Sequence, residues 1–145
     1  MKIHCVWEHN GNDSMIYASN FVGAFTRGET REIALNKMQD EVRAYLRWKN
    51  ENEEMEESEV LITQEFNSKL DICDADSDVI FEQEREPLSL KEYTELKELV
   101  LKSAKDFLRL YESIPDKNES AIPMIPPKIT FLGPRPRTAL EMYEH

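Results

Sequence analysis

Between Thr30 and Trp48 the apolar residues Ala34, Met38, Val42, Tyr45 and Leu46 recur at spacings of three and four. That is the period of a helix with a single apolar stripe, and such a stripe needs a surface to cover. The residues just before it supply one. Met15-Ile16-Tyr17-Ala18 and Ala24-Phe25-Thr26 read as short strands, joined through the irregular stretch Asn20-Phe21-Val22-Gly23. Thr30 is placed to cap the helix, and Glu32 puts a negative charge in its first turn, where the helix dipole favours one. Gly28 suits a backbone position of positive φ in the turn between strand and helix.

The chain begins with a further strand. Ile3, Cys5 and Trp7 alternate with Lys2, His4 and Glu8, the period-two pattern of a half-buried strand. His9-Asn10-Gly11-Asn12-Asp13 follows, and its Asn-Gly pair is a strong hairpin signal. Beyond the helix, the acidic run from Asn50 to Glu57 is expected to be a solvated loop, because like charges at that density repel. Val60-Leu61-Ile62-Thr63-Gln64-Glu65-Phe66 then supplies a fourth strand.

The segment Gly23-Ala24-Phe25-Thr26-Arg27-Gly28-Glu29-Thr30-Arg31-Glu32-Ile33-Ala34 resembles the signature of HicB-like domains, an antitoxin family with a β-β-β-α-β core. Gly23 matches the glycine that ends a strand, and Gly28 precedes the acidic-Thr pair Glu29-Thr30. Glu32 and Ala34 match the residues of the first helical turn. The resemblance covers residues 1–66 and implies a small antiparallel sheet with one covering helix. Family members commonly continue into a ribbon-helix-helix or helix-turn-helix part that binds DNA. Neither pattern follows in this chain.

Residues 67–88 are polar and acidic, with Val79-Ile80-Phe81 as the one apolar knot, and read as a linker. The region 89–145 reads as mainly helical. Ser89 and Glu92 form a capping box. Behind it, Tyr93, Leu96, Val100, Ala104, Phe107 and Tyr111 form a stripe that should end before Pro115. Five prolines between Asp116 and Pro136 suit an extended loop. Thr138 and Glu141 form a second capping box, opening a helix with only Ala139–His145 behind it. Two turns alone are not stable in water, so this start signal is expected to belong to a truncated domain. Glu86-Pro87-Leu88-Ser89, Tyr111-Glu112-Ser113-Ile114-Pro115 and the stretch Pro136–His145 resemble the opening of a DinB-like helical bundle. Many DinB-like proteins bind a metal through three His, one of them on the second helix, near which His145 falls. The other two ligands would lie beyond this chain, and no metal site is carried over.

Composition narrows the function. A net charge of -11 argues against general nucleic-acid binding, since phosphate backbones demand surplus Lys and Arg. The N-terminus reaches Glu8 and His9 before any useful apolar length, so no signal peptide is expected. No apolar run approaches a membrane span. Cys5 and Cys73 match no metal-site spacing and read as reduced thiols of a cytoplasmic protein. His4, His9 and His145 are scattered, whereas zinc needs three or four converging ligands. With four glycines in all, the chain has no phosphate loop. Glu29 and Glu32 are explained by the helix start, Arg135 and Arg137 are two loop cations, and Trp7, Tyr17 and Phe25 read as core.

The expectation is therefore an α+β unit of three or four antiparallel strands and one helix, then a mainly helical region, with no catalytic, cofactor or metal residue assigned. The expected function is a non-enzymatic HicB-like interaction module that binds a protein partner or itself through a sheet edge. The long helix from Leu90 has more apolar surface than one small sheet can cover. A dimer, or packing of that helix on the first unit, follows. Two alternatives are the N-terminal fragment of a DinB-like metal-dependent enzyme and an antitoxin neutralising a small basic ribonuclease.

Overall fold

Ile3 and Cys5 are fully buried on one face of the first strand, as their alternation requires, and the helix that covers them presents Ala34, Met38, Val42 and Leu46. The computed structural model describes residues 1–49, 58–72, 77–120, 129–130, 133–134 and 136–144. It divides into two compact units, Met1–Pro87 and Leu88–His145. The acidic run 50–57 and much of the proline-rich stretch lie outside the described residues.

The first unit runs β1 (Lys2–His9), β2 (Ser14–Ala18), β3 (Phe25–Gly28), α1 (Arg31–Lys49) and β4 (Glu59–Asn67). The four strands form one sheet in the order β3-β2-β1-β4. In the β1–β2 hairpin, Asn10 Oδ1 accepts the N–H groups of Asn12 and Asp13, each at 3.0 Å, and Gly11 takes φ 86°. That Asx-type turn is the reason for the Asn-Gly pair.

The sheet is mixed, where an antiparallel one was expected. β1 is antiparallel to β2 but parallel to β4. The cause is a count of reversals. Three strands in a meander end at the far side of the sheet, α1 carries the chain back, and β4 must then run as β1 does. The β1–β4 register slips at Thr63, whose hydroxyl donates to the Cys5 carbonyl at 3.2 Å.

One face of the sheet packs against α1. Cross-strand partners share a face, so the pairs Cys5–Ala18 and Trp7–Ile16 place these residues under the helix. Thr26 on β3 closes the layer, its buried hydroxyl donating to the Ala34 carbonyl at 2.9 Å. Each large side chain sealed here contributes roughly 1.5–3 kcal/mol by leaving water.

Thr30 caps α1, its hydroxyl accepting the Ile33 N–H at 3.3 Å. Gly28 does not have the positive φ expected of it, a conformation found at Gly11 and Gly23 instead. Its constraint is steric. A Cβ at Gly28 would lie 2.7 Å from Ile33 Cγ2 and 2.8 Å from the Ala34 nitrogen. The helix start has no room to give, because Ala34 is fully buried. Gly28→Ala is expected to cost about 2 kcal/mol by overpacking, read as a lowered urea midpoint with an unchanged slope.

Residues 67–87 belong to the first unit, although their composition reads as a linker. Ile72 is fully buried and Ser68 nearly so. Phe81 lies with its ring centre 5.4 Å from that of Tyr17, on the sheet face away from α1. Gln64 ties the segment to β4, accepting the Glu82 N–H at 2.9 Å and donating to the Ile80 carbonyl at 3.0 Å. Gln83 donates to the Ser19 carbonyl at 2.8 Å. The stretch is a strap across the second sheet face, closed by a 3₁₀ turn at Glu82–Arg85.

In the second unit, α2 spans Leu90–Ser113. Ser89 Oγ accepts the Glu92 N–H at 3.2 Å, and Glu92 accepts the Ser89 N–H at 2.8 Å, the reciprocal capping box. The Ser89 hydroxyl also donates to the Glu92 carboxyl, and this bond together with that from the Ser89 N–H holds the carboxyl below its usual range. A short antiparallel ladder joins β5 (Ile129–Thr130) to β6 (Gly133–Pro134). α3 (Ala139–Glu144) starts at the Thr138–Glu141 capping box, where Thr138 Oγ1 accepts the Glu141 N–H at 3.1 Å. Its tertiary support is visible: the Tyr143 ring stacks on Tyr111 of α2 at 4.4 Å, and Leu140 N–H donates to the Lys117 carbonyl at 3.0 Å.

Candidate functional site

Glu8 is the most chemically distinctive side chain of the first unit, a fully buried carboxylate. It lies on the second sheet face, opposite Met15 in the register. Its Oε2 accepts the Tyr17 hydroxyl at 2.9 Å and the Ser77 hydroxyl at 2.6 Å, and its Oε1 accepts the Asp78 N–H at 3.1 Å. Asp78 in turn accepts the Ser68 hydroxyl at 2.7 Å. A buried carboxylate is tolerable only with donors of this kind. Two of the three come from the strap, so the chemistry of this cluster is to pin the strap to β1.

Burial pushes the Tyr17 hydroxyl from the ordinary 10.0 up to about 12, the Glu8 carboxylate adding to the rise and the Ser77 hydroxyl opposing it. A folded-state value above the unfolded one means that stability from this group is fully present below about pH 10. It is lost as pH rises through about 12, because the folded state holds the proton more tightly. Alkaline titration of phenolate absorbance should therefore show a late component that Tyr17→Phe removes.

The other residues singled out by sequence are dispersed. Cys5 is buried among the α1 core, and burial pushes its thiol up to about 12, an inert state. His4 and His9 lie on β1, with the His9 ring stacked on Trp7 at 4.2 Å and its Nε2 3.1 Å from Glu65 Oε1. Arg31 sits over the other aromatic of this corner, 5.0 Å from the Trp7 ring centre. Glu29 and Glu32 are exposed where α1 begins. Phe25 is half exposed beside Tyr17. The Arg137 N–H donates to Glu141 at 2.7 Å. Cys73, Arg135 and His145 lie outside the described residues. Among the described residues, no three His, Cys, Asp or Glu side chains are grouped to hold a metal ion. No described helix is long and apolar enough to cross a membrane.

Among the described residues, two surfaces stand out as able to engage another molecule. The first is the outer edge of β4, a nine-residue strand that the sheet order leaves at one end. It carries exposed Glu59 and Glu65 and the slip at Thr63, the devices by which edge strands resist pairing. The second is α2. None of its 24 residues is buried. Tyr93 is 53% exposed, Val100 66% and Phe107 43%, all three on the apolar stripe, and Leu90 one turn before it is 82% exposed. Leu101 and Leu108 widen that stripe and are also exposed. Among the described residues, Lys97 lies within the stripe and Tyr143 of α3 stacks on Tyr111 at its end. Comparison of the chain with protein-family models, curated proteins and solved structures found no match.

Proposed function

We propose that this chain is a non-enzymatic protein-interaction module, HicB-like in its first unit, that associates through the apolar face of α2. The single observation carrying this reading is a 24-residue amphipathic helix with no buried residue. Contiguous exposed apolar surface on a folded chain marks an interaction site, and an amphipathic helix presenting anchors at spacings of three and four is a standard recognition element. The β-β-β-α-β order of the first unit supports the HicB-like part of the reading. The edge of β4 is the weaker of the two surfaces, because its charges and register slip oppose strand addition.

Light scattering of the full chain tests the reading. The expected result is a mass above the 17.0 kDa of one chain, falling to that of one chain in Val100→Glu. A single-chain mass for the unaltered protein, indifferent to the same substitution, would contradict it.

A further inference from the structure

Asn10-Gly11 is the one Asn-Gly pair in the sequence, and it lies in the β1–β2 turn with Gly11 exposed and Asn10 half-buried. Such a pair is chemically self-reactive. The glycine nitrogen can attack the carboxamide carbon of the asparagine, because no side chain on the second residue blocks its approach. In this fold three hydrogen bonds hold the carboxamide. Oδ1 accepts the N–H groups of Asn12 and Asp13, and Nδ2 donates to the Leu70 carbonyl at 3.0 Å. The first two bonds belong to the turn. The third crosses to the start of the strap, which is itself anchored there. The Leu70 N–H donates to Ser68 Oγ at 3.1 Å, the Ile72 N–H donates to the Leu70 carbonyl at 3.1 Å, and Ile72 is fully buried.

We infer that Asn10 is a self-modification site gated by the strap, which keeps the carboxamide intact while closed and yields it to the Gly11 nitrogen when it opens. Ring closure requires the carboxamide to turn and set Cγ against that nitrogen, and the turned group cannot keep Nδ2 on Leu70. Once it is free, the Gly11 nitrogen bonds to Cγ and gives up its proton. The Cγ–Nδ2 bond breaks, and Nδ2 leaves with that proton as ammonia. The succinimide ring so formed takes up one water, which opens it at either of its carbonyl carbons to leave an aspartate or an isoaspartate. Water is the only co-reactant.

The product cannot restore the closed state. Leu70 loses its side-chain donor, and a carboxylate oxygen faces a carbonyl oxygen where Nδ2 stood, two acceptors with no proton between them. An isoaspartate also lengthens the backbone inside a turn that the Asn10 N–H closes on the Asp13 carbonyl. Opening of the strap is therefore reversible until the chemistry occurs and permanent afterwards. This coupling is independent of α2 and of any association through it.

Peptide mapping by mass spectrometry, on the full chain aged in mildly alkaline buffer, reads the mass gain of the amide-to-acid change at Asn10. In the folded chain conversion is expected to be at least about tenfold slower than in urea, because only the open fraction reacts. Ser68→Ala removes the acceptor of the Leu70 N–H. It should speed conversion in the folded chain about fivefold and leave the rate in urea unchanged. Asn10→Asp imitates the product, keeping the acceptor of the turn and losing the donor to Leu70. Amide exchange at Leu70 and Ile72 should then accelerate while that of α1 stays as it was. Conversion as fast in the folded chain as in urea, or unaffected by Ser68→Ala, would overturn the gate. No conversion in either state would overturn the site, and unchanged exchange in Asn10→Asp would overturn its effect on the strap.

Discussion

Replacing Ile16 by Ala is expected to destabilise the first unit by about 4 kcal/mol, near the upper part of the range for large-to-small core changes. Ile16 is fully buried on β2, an interior strand, opposite Trp7 on β1 and Thr26 on β3. It belongs to the cluster that includes Ile3, Cys5, Ala34, Met38 and Val42. Two of its neighbours in that layer are alanines, Ala18 and Ala34, which have no side chain to lean into the void. The site can therefore collapse only partially, and the cavity term adds to the lost transfer free energy. Ile16→Val, which removes one methyl group, should cost about 1 kcal/mol. Urea unfolding of the two variants checks both values, and a loss below 1 kcal/mol for Ile16→Ala would show that the layer under α1 is not tightly packed.

The second large effect belongs to Glu8. Glu8→Ala should cost about 3 kcal/mol, because it removes a fully buried side chain that is the common acceptor of three donors. The donors left behind are the Tyr17 and Ser77 hydroxyls and the Asp78 N–H. Tyr17→Phe removes one donor and leaves the carboxylate two, so its cost should be smaller, about 1 kcal/mol. Glu8→Ala also carries a spatial signature. Amide exchange in the strap around Ser77–Phe81 should accelerate more than exchange in α1, since two of the lost hydrogen bonds tether the strap. Equal acceleration everywhere would contradict a role as a pin.

Helix α1 was legible from sequence because its four deeply buried residues, Ala34, Met38, Val42 and Leu46, repeat every four positions. The alternation of Ile3 and Cys5 likewise named the inner face of β1. The direction of β4 was not written in its residues. Val60–Phe66 is β-rich in either orientation, and the parallel pairing follows from the path of the chain. The strap escaped for a different reason. Its hold on the sheet comes from the Ser77 hydroxyl, the Asp78 N–H and the Gln83 amide, whose partners are far away in sequence, and polar composition has no period. The alternation places Glu8 on the face of β1 away from Ile3 and Cys5, and the strap makes that position an interior one. Gly28 was noticed but for the wrong property: the close approach of Ile33 and Ala34, not a positive φ, excludes a side chain there. The stripe of α2 was plain in the spacing from Tyr93 to Tyr111.

The measurement that bears most directly on the account is amide exchange of the full chain followed over protein concentration. A helix with no buried residue gains little protection from its own packing. If α2 is an association surface, protection from Tyr93 to Leu108 should rise with concentration while that of β1, β2 and α1 stays constant. Protection of α2 that is the same at every concentration would contradict the central claim.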